Sequence, residues 1–242
     1  CRGHLEPGVP GPHRARLIPS RERVSPQSIR DIVGTMSIAQ PPSLSDIREW
    51  LRAQPSLTGA APTLDLAELP EDPEPLFVDW IGEAAESGVA EPHTATLATV
   101  DDDGIPDART LILKNVDARG WSFAGARSSR KGQQIAARPA AALNFWWQPL
   151  RRAVRVRGMI REASPVESAA DLAARSAEAR GGIAPGEWVL WRIVATRVEF
   201  WQGSADRNHN RIIYRRAEDG WQRTVMGSIT GVESDQIVDG RA

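Results

Sequence analysis

Cysteine is nearly absent from this sequence, and so are lysine and long apolar runs. The single cysteine, Cys1, has no partner for a disulfide within the 242 residues and cannot form a cysteine-based metal site. Such sparing use of cysteine is typical of a reducing cytoplasm, where we expect this protein. No apolar stretch approaches the roughly 20 residues of a membrane helix, and no segment has the order of a secretory signal, so we expect no membrane partner.

A basic excess is also missing from the sequence. Thirty basic residues stand against thirty-one acidic ones, for a net charge of −1, so we expect no nucleic-acid partner. Only two of the basic residues are lysines, Lys114 and Lys131. Because a compact ammonium suits a point contact to phosphate, both lysines are candidates for anion binding. Chance and a coding bias toward arginine are the alternative explanation.

Composition divides the chain into four stretches. Residues 1–42 are rich in Pro, Gly and Arg, and we expect a disordered N-terminal extension there, much of it upstream of the first methionine, Met36. Residues 43–71 are predicted to form a short amphipathic helix and a linker. Residues 72–226 are predicted to form one folded domain, and residues 227–242 a loose C-terminal tail.

The folded stretch has the pattern of a mainly β domain with a few helices. Asp72 and Pro73 predict a helix that ends at Gly88, and Ser164 opens a capping box for a helix to about Arg180. A further helix is predicted after Ser128 or Ser129. Strands are predicted at 94–100, 108–116, 121–126, 140–147, 154–158, 188–201, 211–215 and 221–225. Successive strands joined by short Asp/Gly turns favour an antiparallel barrel decorated with helices.

The first candidate site begins on the strand with Arg109 and Lys114. These residues are five apart, so on a regular strand they point to opposite faces and serve two different anions. Ser129, Arg130 and Lys131 follow at a predicted helix N-terminus, where free N–H groups and the macrodipole favour an anion. Arg109 from the neighbouring strand would complete this site. A solvated helix start that binds nothing is the alternative.

The second candidate site follows the long strand near the C-terminus. It comprises Glu199-Phe-Trp-Gln-Gly203 and the alternating residues Arg207, His209 and Arg211. In an extended chain these three side chains face the same side, which calls for an anion or polar ligand opposite them. The alternatives are that Trp201 is a core aromatic residue and that His209 is a surface histidine without a function. No cluster has metal-ligand spacing, so we expect no metal.

The order of these motifs resembles the pyridoxamine 5'-phosphate oxidase family from about residue 72 to 223. The resemblance implies an antiparallel split β-barrel that is mainly β with helices and binds FMN at a homodimer interface. It implies that FMN contacts the residues Arg109, Thr110, Leu111, Ile112, Leu113, Lys114, Ser129, Arg130, Lys131, Trp201 and Arg211. It further implies that the phosphorylated substrate contacts Lys114, Arg175, Arg207 and His209, with Arg207 and His209 as the catalytic residues.

The family reaction is the oxidation of pyridoxamine 5'-phosphate or pyridoxine 5'-phosphate to pyridoxal 5'-phosphate with oxygen as acceptor. The chain departs from the family pattern at Asp171, at Ala124-Gly125, at Ala153 and in a shortened segment after Arg175. These departures leave two alternatives open. One is an oxidase or reductase of the same fold that acts on another, secondary-metabolite substrate, and the other is a non-catalytic protein that binds flavin or pyridoxal phosphate.

Overall fold

The computed structural model describes residues 42–227. The predicted N-terminal extension and C-terminal tail lie outside the described residues, apart from one residue of each. The chain divides into two units at Gln54. In the first, helix α1 (Ile47–Ala53) buries none of its side chains, including the predicted apolar face. None of the helices in this described stretch has the length and apolar composition needed to cross a bilayer.

The second unit is a β domain with short helices on its surface. Its helices are α2 (Pro73–Glu86), α3 (Arg130–Ala137), α4 (Pro165–Ala173) and α5 (Ala177–Arg180). Its strands are β1 (Thr94–Val100), β2 (Pro106–Asp117), β3 (Gly120–Ala126), β4 (Ala140–Trp147), β5 (Arg152–Glu162), β6 (Trp188–Gln202), β7 (Asn210–Ala217) and β8 (Gly220–Met226).

The strands form one antiparallel sheet in the order β3-β2-β1-β4-β5-β6-β7-β8. An additional pairing of β3 with β6 closes the first six strands into a barrel, as the sequence predicted. Strand β6 is long enough to pair with two different strands, one after the other along its length. Its first half, from Trp188 to Ile193, pairs with β3, and its second half, from Arg197 to Gln202, pairs with β7. The hairpin β7–β8 therefore extends the sheet beyond the barrel.

Large aromatic side chains fill the core of the barrel. Phe77 and Trp80 enter it from α2, where the ring of Phe77 lies 4.9 Å from Phe145 and that of Trp80 lies 5.2 Å from Phe200. Each of these side chains is at most 2% exposed, and full burial of such a side chain contributes about 1.5–3 kcal/mol. Packing of the helix against the barrel end thus holds α2 in place, since Asp72 stands at its N-cap without a side-chain hydrogen bond.

The predicted helix from Ser164 to Arg180 is wrong in its length. The capping box at Ser164 is present, but α4 ends at Ala173. Ser176 then caps the separate helix α5 by accepting a hydrogen bond from the backbone N–H of Ala179. A serine hydroxyl that competes for backbone donors favours a new helix start over continuation, which explains the break.

Strand β2 is irregular at Lys114. Its pairing with β3 shifts register between Leu113 and Asn115, which marks a β-bulge. The bulge interrupts the regular alternation assumed for Arg109 and Lys114. Lys114 is exposed there, whereas Arg109 is half-buried farther back along the strand.

Candidate active site

A cluster of cations surrounds the start of α3. Ser129 is the N-cap, and its hydroxyl accepts a hydrogen bond from the backbone N–H of Gly132 at 3.3 Å. The ammonium of Lys131 lies 3.5 Å from the same hydroxyl. Burial, together with the nearby charge of Arg109, lowers the pKa of Lys131. The lysine is therefore partly removed from water at the positive end of a helix.

Arg109 is fixed beside this lysine by polar groups of β1, β2 and α3. Its guanidinium donates hydrogen bonds to Thr99 and, at 2.9 Å, to Gln134, and it forms a 2.9 Å ion pair with Asp107. The hydrogen bond from Arg130, followed by that from Gln134, lowers the pKa of Asp107 to about 2. Arg109 is thus held rigidly, whereas Arg130 turns outward to Asp107 with 71% of its side chain exposed.

We call Arg109, Ser129 and Lys131 the cradle. Among the residues from 42 to 227, Lys131 forms no ion pair with a carboxylate. A half-buried ammonium beside a guanidinium is unfavourable until an anion arrives. The first N–H groups of α3 add donors of the same polarity. The cradle is therefore suited to a phosphate group, because its own side chains supply two cations and a hydroxyl.

Gly125 leaves the space in which the Lys131 side chain lies. A Cβ at this position would stand 2.5 Å from Cε of Lys131 and would also overlap its Nζ. In the resemblance to the family, Ala124-Gly125 is only a departure from the family pattern. In the structure, the missing side chain at Gly125 on β3 leaves room for the side chain of Lys131, whose ammonium stays near the start of α3.

We expect Gly125→Ala to weaken phosphate binding while leaving the fold intact. The new methyl displaces the flexible end of Lys131 rather than backbone, so the protein can adapt. The resemblance implies that the phosphate ligand is FMN, and the expected loss of FMN affinity is about 10-fold, on the order of 1.4 kcal/mol. Gly82→Ala in α2, where an added Cβ meets nothing within 4 Å, is the matched control. Equal FMN affinity of the two variants in a fluorescence titration would contradict the role of Gly125.

A second group of side chains forms an aromatic wall across β4, β5 and β6. Trp146, Ala153 and Trp201 stand side by side in register. Because Ala153 is small, the two indole rings approach to 6.0 Å between centroids. Arg211 is paired with Trp201 on β7. A cavity of about 210 Å³ opens beside this wall, lined by Asn144, Ala153, Arg155, Glu199, Trp201 and Arg211.

The segment between β6 and β7 is a compact turn and not an extended chain. Arg207 adopts a left-handed backbone conformation with φ of +70°, and its N–H donates to the carbonyl of Ser204. The predicted alignment of Arg207, His209 and Arg211 on one side of a strand is therefore wrong. The turn reverses the chain immediately after Gly203, where the indole of Trp201 comes so close that a Cβ would lie 2.8 Å from it.

His209 is nevertheless held against the aromatic wall. Its ring centroid lies 4.9 Å from that of Trp201. The backbone N–H of Ser204 donates to Nδ1 of His209 at 3.0 Å. Because Nδ1 accepts this bond, the neutral imidazole carries its proton on Nε2. His209 can therefore donate a hydrogen bond from Nε2, while Arg207 is exposed in the same turn.

The remaining predicted residues lie apart from these two groups. Thr110 is exposed on β2, and Leu111, Ile112 and Leu113 are half-buried. Arg175 stacks on Trp188, with its guanidinium carbon 4.4 Å from the ring centroid. The side chain of Lys114 makes no hydrogen bond or ion pair with any residue that the structure describes. Thus the structure brings Arg109, Ser129 and Lys131 together, and separately Trp201, His209 and Arg211.

Sequence reasoning assigned Asp107, Gln134 and Glu199 no role in holding these site residues in place, although Glu199 belongs to the second candidate motif. Asp107 and Gln134 fix Arg109, and Glu199 binds the guanidinium of Arg211 at 2.7 Å. A signal was present, because Asp107 and Glu199 each lie two residues from a predicted site residue and so share its strand face. No group of three potential metal-ligating side chains occurs in the 42–227 stretch.

Comparison with known proteins decides the family. The profile described as pyridoxamine 5'-phosphate oxidase matches residues 81–202. The chain belongs to the pyridoxamine 5'-phosphate oxidase family. A second profile, the pyridoxine 5'-phosphate oxidase C-terminal dimerisation region, matches residues 188–226, which contain β6, β7 and β8. As a member of this family, the chain is an FMN-dependent oxidoreductase that self-associates, so the alternative of a non-catalytic carrier is not supported.

Relatives and solved structures agree with this membership. The chain is 38% identical over 212 residues to pyridoxine/pyridoxamine 5'-phosphate oxidase 1 of Ralstonia nicotianae, covering 74% of this chain and 95% of the relative. It is 38% identical over 184 residues to the enzyme of Thermosynechococcus vestitus, covering 63% and 87%.

Two solved structures share the fold of this pyridoxamine 5'-phosphate oxidase family member. PhzG of Burkholderia lata 383, in complex with tetrahydrophenazine-1-carboxylic acid, has a TM-score of 0.64 at 24% identity and covers 70% of this chain and 100% of its own. A pyridoxamine 5'-phosphate oxidase-related, FMN binding protein of Nostoc punctiforme has a TM-score of 0.53 at 20% identity, covering 66% and 99%. The predicted antiparallel split β-barrel is thereby confirmed.

Proposed function

We propose that this protein is an FMN-dependent oxidase that converts pyridoxamine 5'-phosphate or pyridoxine 5'-phosphate to pyridoxal 5'-phosphate with oxygen as acceptor. The observation that carries the proposal is the cradle, in which Lys131 is half-buried next to Arg109 and forms no ion pair with a carboxylate among residues 42–227. The relatives of 38% identity, which are named as oxidases of these substrates, support the same substrate class.

In this proposal the cradle holds the FMN phosphate. Arg109, Ser129 and Lys131 supply the cations and the hydroxyl, and Arg130 adds charge from the rim. Trp201 and Arg211 contact the flavin ring, and the residues from Thr110 to Lys114 line it along β2. FMN would supply the two-electron acceptor for oxidation of the amine- or alcohol-bearing carbon.

The substrate binds next to the turn between β6 and β7. Arg207 orients the reacting carbon, and His209 donates a hydrogen bond from Nε2 to a polar group of the substrate ring. Lys114, exposed at the β2 bulge, is free to meet the substrate phosphate. The chain's own contribution is binding and orientation, because no carboxylate among the proposed site residues is placed as a general base.

The test is an anaerobic reduction of the FMN-loaded protein by pyridoxamine 5'-phosphate. We expect the visible flavin band to bleach and pyridoxal 5'-phosphate to form, with the band returning on admission of air. Pyridoxamine without its phosphate is the control, and it should bleach the band more slowly at equal concentration. A flavin band that persists with pyridoxamine 5'-phosphate and pyridoxine 5'-phosphate would contradict the proposed substrate.

A second candidate is an oxidase of the same fold that acts on another, larger ring system. The observation in its favour is that the guanidinium of Arg175 stacks on the indole of Trp188. The same indole donates a 2.8 Å hydrogen bond to Asp171. That arrangement withdraws one of the expected phosphate ligands. PhzG, whose structure contains tetrahydrophenazine-1-carboxylic acid, supplies the probe. Tight binding of this acid, with no reduction by pyridoxamine 5'-phosphate, would favour the second candidate.

A further inference from the structure

Glu199 is a buried carboxylate that divides its two oxygens among three arginines. Its side chain is 6% exposed. Oε1 accepts a hydrogen bond from Nη1 of Arg211 at 2.7 Å and, among residues 42–227, from no other arginine. Oε2 accepts from Arg155 at 2.8 Å and from Arg197 at 2.7 Å. Oε1 of Glu199 thus binds Arg211, the arginine that is paired with Trp201.

The charge balance around Glu199 keeps it ionised. Burial by itself would raise the pKa of Glu199, but the hydrogen bond from Arg155 and the charges of Arg211 and Arg197 outweigh it and lower the pKa. A buried ion of this kind is stable only while its partners remain in place. The converse also holds, because the arginines lose their common counter-ion if the carboxylate is removed.

Arg211 depends on Glu199 for its orientation. Within the described stretch 42–227, Glu199 is the side chain to which Arg211 is hydrogen-bonded, and 41% of the Arg211 side chain is exposed. A guanidinium carries five donors in a fixed fork, so one anchored Nη leaves the other donors free for a ligand. Trp201 limits the positions open to Arg211, because the two residues are paired across β6 and β7.

We propose that Glu199 is the positioning residue for Arg211, fixing one nitrogen of the guanidinium so that its remaining donors meet the flavin ring. This inference rests on the proposed function, in which Arg211 contacts that ring. It adds Glu199 to the site as a residue that acts through Arg211, although Glu199 also lines the cavity beside the wall. Arg155 and Arg197 share Oε2, and their function here is to keep the carboxylate charged and stationary.

The test is a double-mutant cycle on the full chain, read by FMN titration and by the visible flavin spectrum. Glu199→Gln keeps the shape of the side chain and removes its charge. We expect it to weaken FMN binding about 10-fold, on the order of 1.4 kcal/mol, and to shift the flavin band. Arg211→Ala and the double variant should bind FMN equally to within about twofold, since Glu199 acts through Arg211.

Glu162→Gln is the matched control. Its carboxylate pairs with Arg127 at 2.6 Å, so the substitution also leaves an arginine without its partner, but away from the wall. We expect unchanged FMN affinity and an unchanged spectrum. Should Glu199→Gln fail to fold, Glu199→Asp replaces it in the cycle, because a shorter side chain keeps the charge but reaches Arg211 less well.

The outcomes separate this inference from the proposed function. A wild-type protein that binds FMN and is reduced by pyridoxamine 5'-phosphate, with additive effects of Glu199→Gln and Arg211→Ala, would overturn the positioning role alone. An Arg211→Ala variant with normal FMN affinity and spectrum would overturn it too, because nothing would remain to be positioned. Non-additive losses with the shared spectral shift would support it even if another substrate proved to be the physiological one.

Discussion

Lys131→Ala is expected to abolish FMN retention during purification and to lower FMN affinity by about 100-fold or more. Truncation of one partner of a buried charge pair costs about 2–5 kcal/mol, and 100-fold corresponds to about 2.7 kcal/mol. The reason lies in the surroundings of Lys131, which is half-buried beside Arg109 and the N-cap of α3. Fluorescence titration of the apo-protein with FMN measures the loss.

The same substitution should leave the apo-protein as stable as the wild type or make it more stable. A desolvated ammonium without a carboxylate partner is a cost to the ligand-free fold, and alanine removes that cost. Arg138→Ala, at the other end of α3, is the matched control, since its exposed guanidinium donates to the carbonyl of Asp102. Unchanged FMN affinity in Lys131→Ala, or a fall in affinity as large in Arg138→Ala, would contradict the cradle.

Arg207→Ala is expected to leave FMN bound and to slow reduction of the flavin by pyridoxamine 5'-phosphate about 100-fold, the effect of a misplacement of about 1 Å. Arg207 lies in the turn in which His209 packs against Trp201, whereas the cradle residues lie on β2 and at the start of α3. In the proposed function Arg207 therefore acts on the substrate and not on the cofactor phosphate. Stopped-flow measurement of the anaerobic bleaching rate separates the two.

Asn208→Ala is the control for the turn itself. The backbone N–H of Asn208, and not its side chain, donates to Asp206, so the substitution preserves the turn. We expect wild-type reduction from this variant. Equal rates in Arg207→Ala and the wild type would remove Arg207 from the reaction, and equal losses in both variants would assign the effect to the turn.

The positions of the strands were predictable because their signals are local. The limits of β1 and β4 match the predicted 94–100 and 140–147, since alternating apolar residues and Asp/Gly turns specify a meander directly. The cradle could be anticipated for the same reason. Ser129 and Lys131 belong to one helix start, and β2 carries Arg109 past it.

What the sequence could not predict depends on contacts between distant segments. The break after α4 reflects the stacking of Arg175 on Trp188, together with the capping by Ser176. In the turn at Arg207 a residue other than glycine adopts the left-handed conformation, and residue type alone does not mark such a position. The arginines around Glu199 come from three strands, so their meeting follows from sheet register.

The length of β6 has a genetic consequence, because this strand separates the cradle from the aromatic wall. Gly125, beside the cradle, pairs with Val189, while Trp201 lies twelve residues farther along the same strand. At about 3.3 Å per residue this is a path of about 40 Å along the strand. We expect one small cofactor to span such a gap only by taking the cradle from one chain and the wall from its partner.

Two defective alleles of this gene could then complement each other. A chain without Lys131 and a chain without Trp201 would each form dimers in which both flavin sites are impaired. A mixed dimer would combine the sound cradle of the second chain with the sound wall of the first, restoring one site of the two. The co-expressed pair would be active where each chain alone is not.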